Sequence, residues 1–243
     1  MPFPVHAITL DLDDTVWPIA PVIARAEAAL GAWLREHAPC TAAHWSDEAR
    51  RALRERVAAE RPDLAHDFTT QRKLTLTRML REAGDDPALA EPAFAVFFAA
   101  RCQVQHYDDS LDALERLATR VPLAALSNGN ACLHTIGLMH VFRFQLGARE
   151  HGAAKPAASI FHAACAQLRC DPAQVLHVGD DIEMDVIGAR DAGLRSCWIN
   201  RPGADGALRQ WPHPDAPPDL ELPDLGALAD WLDATHSPAR KSA

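Results

Sequence analysis

Three carboxylates follow a short apolar segment near the start of the chain, in the sequence Asp-Leu-Asp-Asp-Thr at positions 11–15. The segment 7–10 is too short for a helix and is typical of a buried strand. Asp11 and Asp13 are two residues apart, so in an extended chain both side chains leave the same face. Carboxylates this close repel one another unless a cation such as Mg²⁺ neutralises them. The pattern predicts a magnesium site with a nucleophile beside a proton-transfer group, although an acidic turn explains it equally well on its own.

A second acidic group follows another apolar segment much further along the chain. Residues 175–178 read as a buried strand and are followed by a glycine and two acids, Asp180 and Asp181, with Asp185 four residues later. In a mostly parallel sheet, ligands bind beyond the carboxyl ends of the strands. The two acidic groups are therefore expected to share one site, with four or five carboxylates around one cation.

Two further motifs have the chemistry of a phosphate site. A third predicted strand ends in Ser-Asn-Gly-Asn at 127–130, where the Ser127 hydroxyl, Asn128 and the turn's backbone N–H groups can face an oxyanion. Lys155 is one of only three lysines among 24 basic residues, and it lies in a loop ahead of a helical pattern. Its compact ammonium could neutralise both a carboxylate and a phosphoryl oxygen. Taken singly, these motifs are explained as well by a turn and a solvated loop lysine, but their position and order favour a phosphate site.

In this order the motifs resemble those of the haloacid dehalogenase superfamily of phosphohydrolases, over about residues 8–200. The resemblance implies an α/β fold, with a Rossmann-like parallel sheet as the core and an inserted all-helical cap. It also implies an aspartyl-phosphate mechanism, with Asp11 as the nucleophile and Asp13 as the general acid/base. Ser127, Asn128 and Lys155 would then bind the phosphoryl group.

The same resemblance implies the ligands of the metal. Mg²⁺ would be held by Asp11, by Asp13 through its backbone carbonyl, and by Asp180. Asp181 and Asp185 would be further ligands or would orient the ligands, and the sequence does not rank the two.

The predicted organisation follows from where the strand patterns stop. Between residues 17 and 107 the apolar residues keep helical spacing, which predicts a helical cap inserted into a core formed by 1–16 and 108–235. Within it, one helix is expected from Ser46 toward Glu60, another from Thr69 to Ala83, and a third around three phenylalanines at 94–98. The proline-rich stretch after position 200 is expected to wrap the core with little regular structure before one last helix. Residues 236–243 are expected to form a flexible tail.

A closer resemblance links the chain to bacterial phosphatases that act on flavin mononucleotide or on the ribitylaminouracil phosphate of riboflavin synthesis. It rests on sequence segments in both the insertion and the core, namely 21–23, 66–69 with Arg72, 127–131, 176–181 and 197–199. In the insertion, a polar cluster of candidate specificity residues stands at a helix entrance: His66, Asp67, Thr69 and Arg72. The alternative is that Asp67 or Thr69 caps the helix and Arg72 lies on its solvated face.

Bulk properties indicate a cytoplasmic enzyme acting on a small phosphorylated metabolite. The net charge of −9 (24 basic against 33 acidic residues) argues against binding to nucleic acid or to acidic membranes. The first residues lack a basic region and a long apolar segment, so no signal peptide or membrane span is expected. Six cysteines without a C-x-x-C pair predict neither a disulfide framework nor a zinc site. The oligomeric state is left open.

Other functions compatible with this pattern are a 2-haloacid dehalogenase, a phosphonate hydrolase, and a catalytically silent binding protein on the same fold. Asp13 counts against the first two, because neither chemistry needs an acid at that position. The phosphonate hydrolase would use a lysine of the insertion for a Schiff base, for which Lys73 is available. A phospho-accepting receiver domain would be much shorter.

Overall fold

A six-stranded, fully parallel sheet forms the centre of the protein, described here from a computed structural model that covers residues 3–203 and 205–236. All the strands are short, and all but the last in the chain are mostly buried, which suits apolar segments covered on both faces. The strands are β1 (Ala7–Leu10), β2 (Leu123–Ser127), β3 (Gln145–Gly147), β4 (Val175–Gly179), β5 (Arg195–Ile199) and β6 (Leu220–Leu222).

The strand order is β3-β2-β1-β4-β5-β6, so the chain winds outward in one direction from β1 to β3 and then in the other from β4 to β6. The order reverses between β1 and β4, where Leu10 is the register partner of Val178. Crevices at such switch points, beyond the carboxyl ends of the strands, are where α/β sheets bind ligands. The fold thus places the residues that follow β1 and β4 side by side at that edge.

Eleven α-helices surround or extend the sheet in the described part of the chain. Five of them, α1 to α5, follow β1 in succession before the chain returns to the sheet, and the described segment from Ile19 to Arg101 contains no strand. The helices are α1 (Ile19–His37), α2 (Pro39–His44), α3 (Asp47–Glu60), α4 (Phe68–Ala83), α5 (Ala90–Arg101), α6 (Ser110–Arg120), α7 (Leu133–Ile136), α8 (Ala148–His151), α9 (Ala158–Leu168), α10 (Gly188–Asp191) and α11 (Leu225–His236).

Alternation along the strands divides the core between the two faces of the sheet. Ile8 and Leu10 of β1 pack into the cluster that includes α6 and α11, while Ala7 packs with residues of α9 on the opposite face. The helical insertion, by which we mean residues 17–107, has a hydrophobic cluster of its own, built from residues such as Leu34 and Phe97. The α/β fold with an inserted helical segment is therefore confirmed.

Local signals account for the helix boundaries in the insertion. Ser46 caps α3 by accepting a hydrogen bond from the Ala49 N–H at 3.2 Å. Gly84 ends α4 with a φ of 85°, a conformation that glycine adopts without strain. The expected helices over 46–60 and 69–83 are thus present.

The proline-rich region after position 200 differs from the expectation of little regular structure. Residues Leu220–Leu222 form β6, which pairs in parallel with β5 along the edge of the sheet. A three-residue edge strand has too little periodicity to be seen in the sequence. The expected tail over 236–243 lies outside the described residues, apart from the helical backbone at His236. Across the described helices, none combines the length and apolar character needed to cross a bilayer.

Candidate active site

The switch point between β1 and β4 brings the two acidic motifs together. Asp11 follows β1 and its backbone N–H donates to the carbonyl of Val178 in β4 at 2.9 Å. Asp180 directly follows the end of β4. The expected convergence of the two motifs at one edge of the sheet is what the topology produces.

Lys155 lies between the two acidic motifs. Its Nζ donates to Asp11 Oδ1 at 2.6 Å and to Asp185 Oδ1 at 2.5 Å, and the residue is 3% exposed. Burial disfavours the ammonium, but the two carboxylates outweigh it and raise the pKa of Lys155 above its usual value. The lysine is therefore a buried, permanently charged link between Asp11 and the last acidic motif.

One ammonium cannot neutralise two carboxylates, and the imbalance falls on Asp11. Burial, with the nearby charges of Asp185 and Asp13, raises the pKa of Asp11 well above its usual value despite the opposing effect of Lys155. At Asp185, burial also works against ionisation, but Lys155 and His177 outweigh it and lower the pKa. The carboxylates of the site therefore outnumber the one ammonium beside Asp11, and a divalent cation would balance the remaining negative charge.

Asp185 is held by donors on both of its oxygens. Oδ1 is 3.0 Å from His177 Nε2 in addition to Lys155, and Oδ2 accepts the Asp181 N–H at 3.0 Å. The other ring nitrogen of His177 is 2.8 Å from the Thr9 hydroxyl, and burial lowers the pKa of this histidine. The place of His177 in this network had no signal in the sequence beyond its position three residues before Asp180.

The donors at the switch point fit a hard cation. Carboxylate oxygens of Asp11, Asp180 and Asp185 lie within 4.8 Å of one another. Burial and the charges of Asp185 and Asp14 raise the pKa of Asp180 to about 7, as expected for carboxylates crowded together without a cation. An all-oxygen set of this kind suits Mg²⁺.

Asp181 takes a different role from its neighbour Asp180. Its Oδ1 accepts the backbone N–H groups of Glu183 and Met184 at 2.9 and 2.8 Å, so it caps the π-helical turn Ile182–Ile187. Its side chain is exposed and is not part of the group of converging oxygens. Of the two residues left unranked by the sequence, the structure places Asp185 among the converging acids.

Asp13 faces away from this group and toward the helical insertion. Its Oδ1 accepts the indole N–H of Trp17 at 2.8 Å, and both carboxylate oxygens accept from Arg101 Nη2, at 2.7 and 2.6 Å. Its side chain can therefore serve proton transfer while its backbone carbonyl remains for a metal, as the family resemblance implies. Sequence reasoning missed both partners of Asp13, Trp17 and Arg101. An arginine at the end of a helix is commonly explained by its favourable interaction with the helix dipole, so Arg101 gave no separate signal.

The predicted phosphate-binding residues have distinct positions. Ser127 ends β2, is 1% exposed, and its hydroxyl accepts the Gly129 N–H at 3.0 Å. The Asn128 amide is used by Lys155: its Nδ2 donates to the Lys155 carbonyl at 2.9 Å and its Oδ1 accepts the Lys155 N–H at 2.8 Å. Asn128 therefore fixes the lysine loop with its side chain, and can offer a ligand its backbone.

The four candidate residues of the insertion separate into two groups. Asp67 accepts a hydrogen bond from the Thr70 N–H at 2.9 Å and so caps α4, as the alternative interpretation of this residue predicted. Thr69 is buried and receives the side-chain amide of Asn130 at 3.4 Å, while His66 is half-buried beside it.

Arg72 is not on a solvated face. Its Nη1 donates to Glu27 Oε1 at 2.6 Å, and its guanidinium lies 3.9 Å from the ring centroid of Phe97. Burial lowers the pKa of Arg72 against the attraction of Glu27. The residue is thus held within the insertion with one edge of its side chain toward the cavity beside Asp13.

Two cavities lie between the insertion and the core. One, of about 240 Å³, is lined by Asp13, Arg72 and Arg101 among others. The second, of about 550 Å³, is lined by His66 and Thr69 and by aromatic and basic side chains of both parts of the chain. Phe68, which is 49% exposed, borders both of them. The space next to Asp13 can therefore hold a small organic molecule.

The sequence and the fold can be compared with those of known proteins. The chain is 32% identical to the 5-amino-6-(5-phospho-D-ribitylamino)uracil phosphatase of Escherichia coli (strain K12), over 94% of this chain and 96% of that protein. It is 33% identical to the phosphoserine phosphatase of Thermus thermophilus over 63% of this chain and 62% of that protein. Among solved structures it is similar to a 2-haloacid dehalogenase from Pseudomonas syringae pv. Tomato, with a TM-score of 0.87, 35% identity, and coverage of 95% and 99%.

A sequence-family model described as haloacid dehalogenase-like hydrolase matches residues 5–193 of this chain. This range includes all the strand-end motifs described above. The match agrees with the parallel sheet, with the acids at the switch point and with the buried lysine between them. This chain therefore belongs to the haloacid dehalogenase-like hydrolase family.

Proposed function

We propose that the protein is a Mg²⁺-dependent phosphatase that hydrolyses a small phosphate monoester through an aspartyl-phosphate on Asp11. The observation that carries the proposal is the Lys155 ammonium, buried between Asp11 and Asp185 at the strand ends with Asp13 two residues further on. The similarity to the E. coli phosphatase along nearly the whole chain supports the same reaction class.

The residues suffice for two successive displacements at phosphorus. In the first, a carboxylate oxygen of Asp11 forms a bond to phosphorus as the bond to the ester oxygen breaks, and Asp13 gives its proton to the departing oxygen. In the second, Asp13 takes a proton from water, the water oxygen bonds to phosphorus, and the bond to Asp11 breaks to release phosphate. Lys155 and the Ser127 hydroxyl hold the phosphoryl oxygens throughout.

The metal has a defined place in this proposal. Asp11, Asp180 and the backbone carbonyl of Asp13 would hold Mg²⁺, with Asp185 in direct reach of the same group. When bound, Mg²⁺ supplies positive charge to the non-bridging oxygens of the phosphoryl group. Asp181 is left as a helix cap.

For the substrate, we propose flavin mononucleotide or the ribitylaminouracil phosphate of riboflavin synthesis. The larger cavity supports a substrate with a planar ring and polar arm, because Phe68, Phe98 and Phe144 line it together with Arg143 and Arg149. We further propose that residues 17–107 act as a cap over a core formed by 1–16 and 108–235, with the substrate enclosed between them.

The 2-haloacid dehalogenase reaction is the second candidate, favoured by the similarity to the solved dehalogenase structure. Both reactions use an aspartate nucleophile, but a halide leaves as a stable anion and needs no proton. Asp13, placed at the cavity with three hydrogen bonds on its carboxylate, favours the phosphatase.

One experiment separates the candidates. The purified protein is assayed with p-nitrophenyl phosphate, flavin mononucleotide and 2-chloropropionate, each with Mg²⁺ and with EDTA. We expect turnover of the phosphate esters that EDTA removes and no release of chloride. Chloride release without phosphatase activity would show that the protein is a dehalogenase and not a phosphatase. The absence of all three activities would favour a binding function.

A further inference from the structure

Arg101 joins the insertion to the group proposed as the acid/base. It is the last residue of α5, the final helix of the insertion, and is only 2% exposed. Its Nη2 is within 2.7 Å of both oxygens of Asp13, which lies 88 positions earlier in the core. The two residues meet only because the insertion packs against the strand ends.

The guanidinium lies over the loop that is proposed to bind phosphate. A methyl group on Gly129 would come within 2.5 Å of Asp13 Oδ2 and within 3.3 Å of both Arg101 Nη2 and the Ser127 hydroxyl. Arg101 also lines the 240 Å³ cavity next to Asp13. Its position is therefore inside the region where a phosphate ester would react.

The pairing of Arg101 differs from that of a purely structural arginine. A buried guanidinium is normally satisfied through several of its five N–H groups, since an unpaired donor away from water is costly. Here Nη2 serves Asp13 alone, and Nη1 is buried with no hydrogen-bond partner in the part of the chain that the structure describes. An arginine with an unpaired buried donor contributes little to the stability of α5. Its contact with Asp13 is therefore better explained by a role in orienting that side chain.

We propose that Arg101, carried by the insertion, is a positioning residue that orients the carboxyl group of Asp13 for proton transfer between that group and the leaving oxygen. The inference rests on the proposed phosphatase function and extends it to the insertion. Because Arg101 ends the last helix of the insertion, displacing that helix from the core removes this contact with Asp13. Asp13 is then oriented for proton transfer only when the insertion packs against the core as it does in this structure.

The test compares leaving groups in the full-length enzyme with Mg²⁺. An alkyl phosphate such as glycerol 2-phosphate needs its leaving oxygen protonated, whereas p-nitrophenolate needs little protonation. We expect Arg101→Ala to lower kcat for the alkyl phosphate by about 100-fold and for p-nitrophenyl phosphate by less than about 5-fold. KM should change by less than about 3-fold for either substrate, because Arg101 acts through Asp13.

A double-mutant cycle with Asp13→Ala tests the coupling directly. If Arg101 acts through Asp13, adding Arg101→Ala to Asp13→Ala costs less than about 3-fold in kcat beyond the single variant. Arg101→Lys keeps the charge but has no planar fork, so it should share the leaving-group pattern in a weaker form. That variant gives the answer if Arg101→Ala does not fold.

The matched control is Arg50→Ala, which removes another buried arginine of the insertion. Arg50 donates to the Trp45 carbonyl at 3.1 Å and pairs with Asp47 at 3.3 Å, within the insertion. Its removal should change both substrates equally or not at all. Equal losses on both substrates for Arg101→Ala, or losses that add to those of Asp13→Ala, would overturn the inference. If the wild-type enzyme turns over no phosphate ester, the proposed function fails instead.

Discussion

At the scale of single residues, the charge of Lys155 is divided between two carboxylates. Asp185 is held by three donors that lower its pKa, whereas Asp11 has a raised pKa despite its contact with the lysine. A cation beside Asp11 would lower this pKa again and favour the carboxylate, which is the form that a nucleophile needs. The same imbalance predicts how the site responds when a charge is removed.

Replacing the nucleophile should abolish catalysis without harming the fold. Asp11→Asn leaves a one-to-one pair between Lys155 and Asp185, so we expect an unchanged or higher Tm. An amide cannot attack phosphorus as a carboxylate does, and kcat should fall by at least about 10³-fold. Steady-state kinetics and thermal unfolding by circular dichroism measure the two effects.

The control for that variant is Asp63→Asn, at an exposed aspartate paired with Arg61 on the surface. It should retain wild-type turnover. If Asp11→Asn kept more than a few per cent of the activity with its circular dichroism unchanged, Asp11 would not be the nucleophile.

Thr9 supports the site from inside β1. Thr9→Val keeps the shape and strand propensity of the side chain but leaves His177 Nδ1 without its partner, so the free energy of unfolding should fall by about 1–3 kcal/mol. Urea denaturation measures the loss. Thr119→Val, at an exposed threonine that donates to the Arg116 carbonyl, should change the free energy by less than about 0.5 kcal/mol. Equal effects in both variants would show that the histidine contact adds nothing.

At the scale of elements, α4 separates two kinds of arginine. Arg72 faces the cavity beside Asp13 and is held by Glu27 from α1, whereas Arg78, six residues later, pairs with Glu60 at 2.9 Å on the surface. In the proposed function, Asp11, Lys155 and Ser127 contact the phosphoryl group, which all phosphate esters share. We therefore expect discrimination to come from the side chains that line the two cavities, Arg72 among them.

Arg72→Ala is expected to change substrate preference more than chemistry. Loss of the guanidinium should lower kcat/KM for flavin mononucleotide at least about 10-fold more than for p-nitrophenyl phosphate, which has no polar arm to bind. Arg78→Ala is the matched control on the same helix and should leave both values near wild type. Parallel losses on both substrates, or no loss on either, would leave Arg72 with a structural role only.

At the scale of the whole molecule, metal binding should stabilise the folded chain. The converging carboxylates come from β1 and from the region after β4, so they form a site only when the sheet is assembled. At a Mg²⁺ concentration of 100 times Kd, the folded state gains about 2.7 kcal/mol. We expect Mg²⁺ to raise the Tm by several degrees and EDTA to reverse the change, as measured by differential scanning fluorimetry.

Two neighbouring aspartates give this prediction its control. Asp180→Asn should remove most of the rise in Tm, whereas Asp181→Asn, at the helix cap, should keep it. Asparagine caps helices as well as aspartate does, so the second variant should also fold normally. A rise in Tm that survives in Asp180→Asn would place the cation elsewhere.

Much of the architecture was predictable because local patterns determine it. Apolar segments of four to six residues predicted β1, β2 and β4, and the capping signal at Ser46 predicted the start of α3. The short strands β3 and β6 were not predictable, since three residues carry too little periodicity. Their pairing is decided by the neighbouring strands of the assembled sheet.

For the candidate site, the sequence by itself determined which residue types stand at the strand ends, and hence that acids, a hydroxyl and a lysine meet at one edge. Only the tertiary structure decided which atoms pair. It brought Arg101 to Asp13, used the Asn128 amide to hold Lys155, and separated Asp181 from Asp185. The physical reason is that strand ends follow from local apolar patterns, whereas ion pairs and hydrogen bonds depend on distances of about 3 Å between residues far apart in the chain.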